Sequence, residues 1–383
     1  MGNKASQPKT DQRFGIDARA VSSEPAGKGR YVLGLLEGWA KLAPDDQLTI
    51  YTRSDFVRPA KWPSQWQVVT APASLRGSYW IDRQARANHL TALLAPGNYS
   101  LGAVAHLPTV TVVHDIAVFV VPEARPSWKV RLAEKLFLTR ALARSARILA
   151  VSNFTRTELI NFFRVPSAKI TVAANAPDDR FHPPAKADEP LHGPVRQRYH
   201  LPPNFLLFVS TLEPRKNLVR LSQAFAGLDQ KLTSSCPLIL VGRLGWSTGP
   251  ILSALKPLED QGLVRRLDYV RSEDLPVLYQ LATAVVFPSL YEGFGLPALE
   301  ALASGRPLLT SSTSALPEVV GEAALMVNPF DRQAIATGLV RLITDHRLRA
   351  DLAQRGPRQA AQFTWKKTAV AARSALEQIS QSP

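Results

Sequence analysis

Cysteine is almost missing from this chain: a single residue, Cys236, stands among 383. No disulfide can form within it, and a reducing compartment, the cytoplasm, is the expected setting. Also missing is an apolar run of the roughly 18 to 20 residues that a membrane-spanning helix needs. The start, MGNKASQPKTDQRF, lacks the apolar centre of a signal peptide. The expectation is a protein that is soluble or rests on a surface, with residues 1–12 a disordered polar leader. The loose Met-Gly-x-x-x-Ser myristoylation pattern in MGNKAS is set aside, because such a pattern turns up by chance. No Asp-x-Asp and no paired His/Cys spacing occurs, so neither of those metal sites is supported. Acids are scarce beside bases, 31 against 46, for a net charge of +15. That excess points to nucleic acid, an acidic membrane surface or a phosphorylated ligand. Nothing resembles a helix-turn-helix, a zinc finger or an aromatic RNA-binding sheet, so no nucleic-acid partner is expected.

What is plentiful is apolar residues, 45% of the chain, in short runs that alternate with helical patterns. This alternation predicts an α/β protein whose parallel sheets are wrapped by helices. RFGIDA, QLTIYT, WQVVT, TALLAP, VTVVHD, RILAVS and ITVAAN read as strands of a first domain, residues 13–182. The proline- and charge-rich residues 183–203 show no period and read as a linker. FLLFVST, PLILVG, RRLDYV, AVVFPS, PLLTSS and ALMVNP read as strands of a second domain, residues 204–364. A last helix, 365–383, can pack on either domain. Two doubly wound domains imply a cleft outside the carboxyl ends of their strands, which is where such sheets bind ligands.

One stretch, PSLYEGFGLPALEALASG, carries the most chemistry. Pro297 suits a first helical position, since its missing N–H costs nothing there. Glu292, Gly293, Phe294 and Gly295 then form a loop whose glycines let backbone N–H groups approach a ligand, beside the positive end of a helix dipole. If the eight steps from Glu292 to Glu300 were all helical, the two would lie roughly 12 Å apart along the axis. That exceeds the roughly 5 to 9.5 Å between the carboxylates of glycoside hydrolases, so two separate tasks are expected rather than an acid/base pair. The competing reading is a helix cap at Glu292 and a solvated Glu300. In STLEPRKNLVRLSQAF, Arg215 and Lys216 follow a strand and are placed to balance a diphosphate, or else form an exposed basic turn. Gly27 and Gly29 in PAGKGRYVLGLL read as a plain turn or a phosphate-approaching loop. His114 ends the strand VTVVHD and should emerge at the cleft. RPSWKVRLAEKLFLTRALARSARILA holds a helix with Lys129, Arg131, Lys135, Arg140 and Arg144 beside Trp128, Leu132, Leu136 and Leu138. It fits either an anionic leaflet or a solvated face over a core.

The run FPSLYEGFGLPALEALASGRPLLTSSTSALPEVVGEAALMVNP closely resembles the signature region of family 4 glycosyltransferases, retaining enzymes of the two-Rossmann GT-B fold that use sugar nucleotides. By that resemblance Glu292 faces the donor sugar, Gly293 to Leu296 lend N–H groups to sugar and phosphate, and Glu300 holds the ribose hydroxyls. The resemblance further makes Arg215 and Lys216 diphosphate ligands, with Thr211 standing where many relatives have arginine. It makes His114 a contact to the reacting sugar, with Asp115 orienting the ring or meeting the acceptor. It places the loop of Gly27 and Gly29 on donor phosphate or acceptor. No metal cofactor is implied. The first domain is expected to bind the acceptor and the second the nucleotide sugar. STLEPRKN, GRLGW and SLYEGFGLP look most like the bacterial mannosyltransferases of polysaccharide and O-antigen assembly, which favours GDP-mannose as donor and a saccharide or lipid-linked saccharide as acceptor. The alternatives are a UDP-sugar donor, or a GT-B-shaped scaffold without activity. A nicotinamide-dependent oxidoreductase is disfavoured, since GKGRYV does not supply the Gly-x-Gly-x-x-Gly that it requires.

Overall fold

The apolar runs of the inner strands are rich in Val, Ile and Leu and are buried on both faces, as a helix-covered parallel sheet requires, while the edge strands are only partly covered. They are seen in a computed structural model that describes residues 13–21, 27–97, 99–122, 128–268 and 270–381. The expected leader, 1–12, and the side chain of Trp128 lie outside the described residues.

The first sheet contains β1 (Arg13–Asp17), β2 (Gln47–Thr52), β3 (Gln67–Thr70), β4 (Ala92–Ala95), β5 (Thr109–Val113), β6 (Arg147–Ala150) and β7 (Ile170–Val172). The second contains β8 (Leu206–Val209), β9 (Leu238–Val241), β10 (Val264–Leu267), β11 (Ala284–Phe287), β12 (Leu308–Ser311) and β13 (Leu325–Val327). Their orders are β3-β2-β1-β4-β5-β6-β7 and β10-β9-β8-β11-β12-β13, with neighbours paired in parallel. Each order reverses once, at β1/β4 and at β8/β11. Loops on either side of such a switch point diverge to opposite faces and leave a crevice there.

Two stretches differ from the plain reading of their sequence. Inside residues 183–203 a helix, Glu189–Arg198, forms although Pro194 lies within it. Among its residues Val195 is the buried one, so no apolar period marks it. The last helix, Trp365–Ser380, returns to the first domain and packs along the helix Gly27–Leu42 and beneath β4 to β7. Gly34 and Gly38 make room for Trp365: a Cβ on either would come 2.1 or 2.2 Å from it. Arg373 secures the far end through Asp46, at 2.7 and 3.1 Å.

Candidate active site at the domain cleft

The loop after β8 and the loop after β11 flank the second switch point, and they bring Arg215, Lys216 and Glu292 together. Glu292 is buried. One of its oxygens accepts from Lys216 Nζ at 2.6 Å and from Ser289 Oγ at 2.6 Å. The other accepts from Arg215 at 3.0 Å. Burial alone would raise its pKa, but the charges of Lys216 and Arg215 outweigh it and hold the carboxylate at about 2. Lys216 is pulled the other way: its own burial and the neighbouring Arg215 lower its pKa despite Glu292 and Glu213. The ammonium is therefore poorly solvated and predisposed toward a further anion. Arg215 resists its burial because Glu292, Asp115 and Glu213 surround it, and its pKa rises. Glu213 touches Arg215 Nε at 2.5 Å, a charge contact without an aligned hydrogen bond.

Backbone geometry explains why these side chains converge. Asn217 sits in the left-handed region at φ 65° and ends the turn Pro214–Lys216. Its amide donates to the carbonyls of Pro288 and Pro329 at 3.0 and 2.7 Å, tying the basic turn to the loops after β11 and β13. Leu290 N donates to Arg215 O at 2.8 Å. The following helix is Leu296–Ala303, with Pro297 in its first turn and Gly295 before it at φ 104°. Phe294 and Leu296 turn their side chains into the core, Phe294 edge-on to Phe363 at 5.5 Å. Any ligand contact they make is through the backbone. A Cβ on Gly293 would lie 1.8 Å from the His114 carbonyl, so this glycine permits the close approach of the two domains.

Glu300 is fully buried and lies in a different environment from Glu292. It accepts from Tyr279 Oη at 3.1 Å and from Arg30, which reaches it from the first domain. The two carboxylates thus have separate cations and separate hydrogen-bond partners. They do not form a proton-sharing dyad.

On the facing side, His114 follows β5 and its Nε2 lies 2.7 Å from the Pro96 carbonyl after β4. A carbonyl only accepts, so Nε2 carries the proton and Nδ1 is left as an acceptor. Burial and the Lys28 charge lower its pKa to about 4, which keeps the ring neutral. Tyr31 braces it edge-on at 5.0 Å. Asp115 caps the next turn through Ala117 N at 3.1 Å. Gly27 and Gly29 open the helix Gly27–Leu42, within its first turn and not in a separate loop between strand and helix. Gly27 has φ 34° and open space where a Cβ would stand.

Reasoning from sequence missed Arg30, Tyr279, Ser289 and Asn217, as well as a clasp that crosses the cleft. In that clasp Tyr291 donates to Glu158, Ser152 Oγ donates to the Gly293 carbonyl at 2.7 Å, and Glu318 accepts from Asn153 N and Phe154 N at 2.9 and 3.1 Å. Among the described residues no group of three or more His, Cys, Asp or Glu side chains is arranged to hold a metal.

Two parallel sheets with facing switch points, and a cationic cluster around a buried carboxylate between them, define the GT-B class of glycosyltransferase. Solved structures agree on the fold. WaaG, described as a glycosyltransferase involved in lipopolysaccharide biosynthesis, superimposes with a TM-score of 0.75 over 96% of this chain and 100% of that one, at 16% identity. Sucrose-phosphate synthase from Thermosynechococcus elongatus gives 0.74 over 96% and 99%, at 20% identity. Residues 25–181 match the family described as Glycosyltransferase Family 4, and residues 196–359 the family described as Glycosyl transferases group 1. The O-antigen chain mannosyltransferase B of Escherichia coli is 40% identical over 258 residues, 67% of this chain and 67% of the relative. The serotype-specific mannosyltransferase WbdA of Escherichia coli is 31% identical over 243 residues, 62% of this chain but 29% of that longer protein. The chain belongs to the family 4 glycosyltransferases.

Proposed function

We propose that this glycosyltransferase moves mannose from GDP-mannose, with retention and without a metal, to a saccharide or lipid-linked saccharide in cell-envelope polysaccharide assembly. The observation that carries the chemistry is the buried cluster of Arg215, Lys216 and Glu292 at the second switch point. The choice of mannose is supported by the two Escherichia coli relatives, both described as mannosyltransferases.

In this reading the donor lies along the second domain, with its ribose toward Glu300 and its sugar toward Glu292. Lys216 and Arg215 meet the diphosphate. As the bond from the sugar carbon to phosphate oxygen breaks, its electron pair goes to the phosphate, and the two cations oppose the growing charge. The acceptor hydroxyl attacks from the same face and passes its proton to the departing phosphate. Glu292 is kept ionised by its two cations, so it positions hydroxyls and opposes positive charge at the sugar carbon rather than donating a proton. Neutral His114 offers Nδ1 as an acceptor to a donor-sugar hydroxyl. The glycine-started helix Gly27–Leu42 and the backbone of Gly293 to Leu296 complete the donor's surroundings.

The helix Trp128–Arg144 exposes Leu132 and Leu136, 60% and 63% accessible, beside exposed Arg131 and Lys135. This face supports a peripheral position on the anionic inner surface of the cell membrane, reached from the cytoplasm, where a lipid-linked acceptor would be presented.

Thermal-shift measurements against GDP, UDP, ADP and dTDP sugars test the donor. Stabilisation by GDP-mannose is expected, and stabilisation by UDP sugars alone overturns the assignment. Turnover of radiolabelled donor in EDTA, with Glu292→Ala alongside, tests the rest: equal rates for the two proteins refute the site, and loss of wild-type activity in EDTA refutes metal independence.

A further inference from the structure

Among the described residues Arg30 is the first-domain cation joined to the carboxylate expected to hold ribose, and neither the family comparison nor the proposed chemistry gives it a task. Its guanidinium donates to Glu300 while the side chain is 27% exposed and its partner is 0% exposed. Phe181 lies beneath the guanidinium at 5.6 Å, in the segment that leads from the first domain toward the second. Asp178 adds a more distant negative charge, and Arg180, which pairs with Asp178, adds a positive one. Glu300 is buried in the second domain, where Tyr279 already takes its other oxygen.

Both carboxylate oxygens of Glu300 are therefore occupied by donors of the protein itself. A ribose presents two vicinal hydroxyls, each needing an acceptor. Tyr279 belongs to the same domain as Glu300 and can share it, since a carboxylate offers about four lone-pair sites. Arg30 comes from the other domain. It is the ligand that has to leave.

We infer that Arg30 is a gate on the donor site: its pair with Glu300 occupies the place of the ribose hydroxyls, and a nucleoside diphosphate binds by displacing it. This inference rests on the reading of Glu300 as the ribose acceptor. The arrangement keeps a buried carboxylate paired between turnovers, where leaving it unpaired is costly. Its consequence is a lowered affinity for donor and for product nucleotide alike, which speeds release of the spent diphosphate. Arg30 is thus a positioning residue that acts through Glu300.

The test is calorimetric binding of GDP and of 2′,3′-dideoxy-GDP to wild type, Arg30→Met and Arg30→Lys. In Arg30→Met, GDP should bind about tenfold more tightly, equivalent to about 1.4 kcal/mol. Dideoxy-GDP should gain less than about threefold, because it makes no claim on Glu300. Lysine keeps a weaker pair with Glu300 and should fall between. This series remains readable if the methionine variant folds poorly. Unchanged or weakened GDP binding in both variants overturns the gate. If wild type binds GDP and dideoxy-GDP equally, the ribose reading of Glu300 itself fails.

Discussion

Glu292 and Glu158 are both buried carboxylates, and their pKa values move in opposite directions. Glu292 is held at about 2 by Lys216 and Arg215 against the pull of its burial, below the ordinary 4.5. A depressed folded pKa contributes stability above the unfolded value, which is lost as the pH falls through the folded one. The contribution of Glu292 is therefore complete above about pH 5 and disappears toward pH 2. Glu292→Gln removes the charge that both cations face, and turnover should fall about 100-fold or more, as when a charge-stabilising group is lost from other active sites. Steady-state rates with the best donor check this; a fall of less than threefold contradicts it. At Glu158 burial wins, and its pKa is pushed up to about 7, with Asp115 adding to the rise against the hydrogen bond from Tyr291. Here the folded pKa is raised, so stability is complete below pH 4.5 and is lost as the pH rises through 7. The loss approaches roughly 3 kcal/mol for a shift of this size. Glu158→Gln keeps an acceptor for Tyr291 and carries no charge. Urea midpoints at pH 5 and pH 8 should show the variant more stable than wild type at pH 8, with the slope between the two pH values reduced.

At the scale of elements, the loop from Pro288 to Leu296 does two things with one backbone. Its Glu292 N–H donates to Ser314 Oγ at 3.0 Å, which fixes the carboxylate over Lys216. Its Gly293 carbonyl accepts from Ser152 and Thr155 of the other domain, at 2.7 and 3.2 Å. Gly293→Ala places a methyl 1.8 Å from the His114 carbonyl, a clash of backbone with backbone that no rotamer change relieves. The domains must then stand further apart. Turnover should fall at least tenfold, while GDP, held by the second domain, binds within about threefold of wild type. Loss of GDP binding instead would mean that the glycine serves the nucleotide and not closure. The elements themselves were legible because most strands are apolar runs bounded by turn residues, and Gly295 and Pro297 mark a helix start. The cationic turn was legible because it follows a strand. Arg30, Tyr279, Glu158 and Tyr291 were not, since their roles come from pairs 133 or 270 residues apart, or, for Tyr279 and Glu300, from a strand and turn lying between them. Nothing local distinguishes them from solvated or core residues. The packing of the last helix was illegible for the same reason, although Gly34 and Gly38, four residues apart on one helix face, were a usable signal for close packing against a bulky partner.

The whole molecule is held closed by contacts of unequal kind. The helix Asn153–Phe163 points its N-terminus at the second domain, and Glu318 supplies a carboxylate to its first two N–H groups. Anions at that end of a helix gain typically 0.3 to 1 kcal/mol from the dipole when exposed, and these bonds are exposed. Tyr291 is better buried. Its ring packs edge-on against Phe154 at 5.6 Å, and its hydroxyl joins Glu158 to the Ile116 N–H at 3.3 Å. Removing that hydroxyl leaves two buried groups without a partner, which costs more than the exposed cap. A transferase must open to exchange donor and product, so the clasp should set the balance between open and closed forms and leave the fold of either domain unaffected. Tyr291→Phe should shift this balance toward the open form, and Glu318→Gln should shift it less. Small-angle scattering should report a larger radius of gyration for Tyr291→Phe, a smaller change for Glu318→Gln, and an additive or greater change for the double variant. The circular dichroism of all three should match wild type. If the radius is unchanged in the double variant, closure is maintained by Arg30 and Glu300 and by the returning C-terminal helix. In that case Tyr291→Phe should still steepen the loss of stability between pH 5 and 8, because Glu158 loses the hydrogen bond that opposes its raised pKa, which separates a local contact from a clasp.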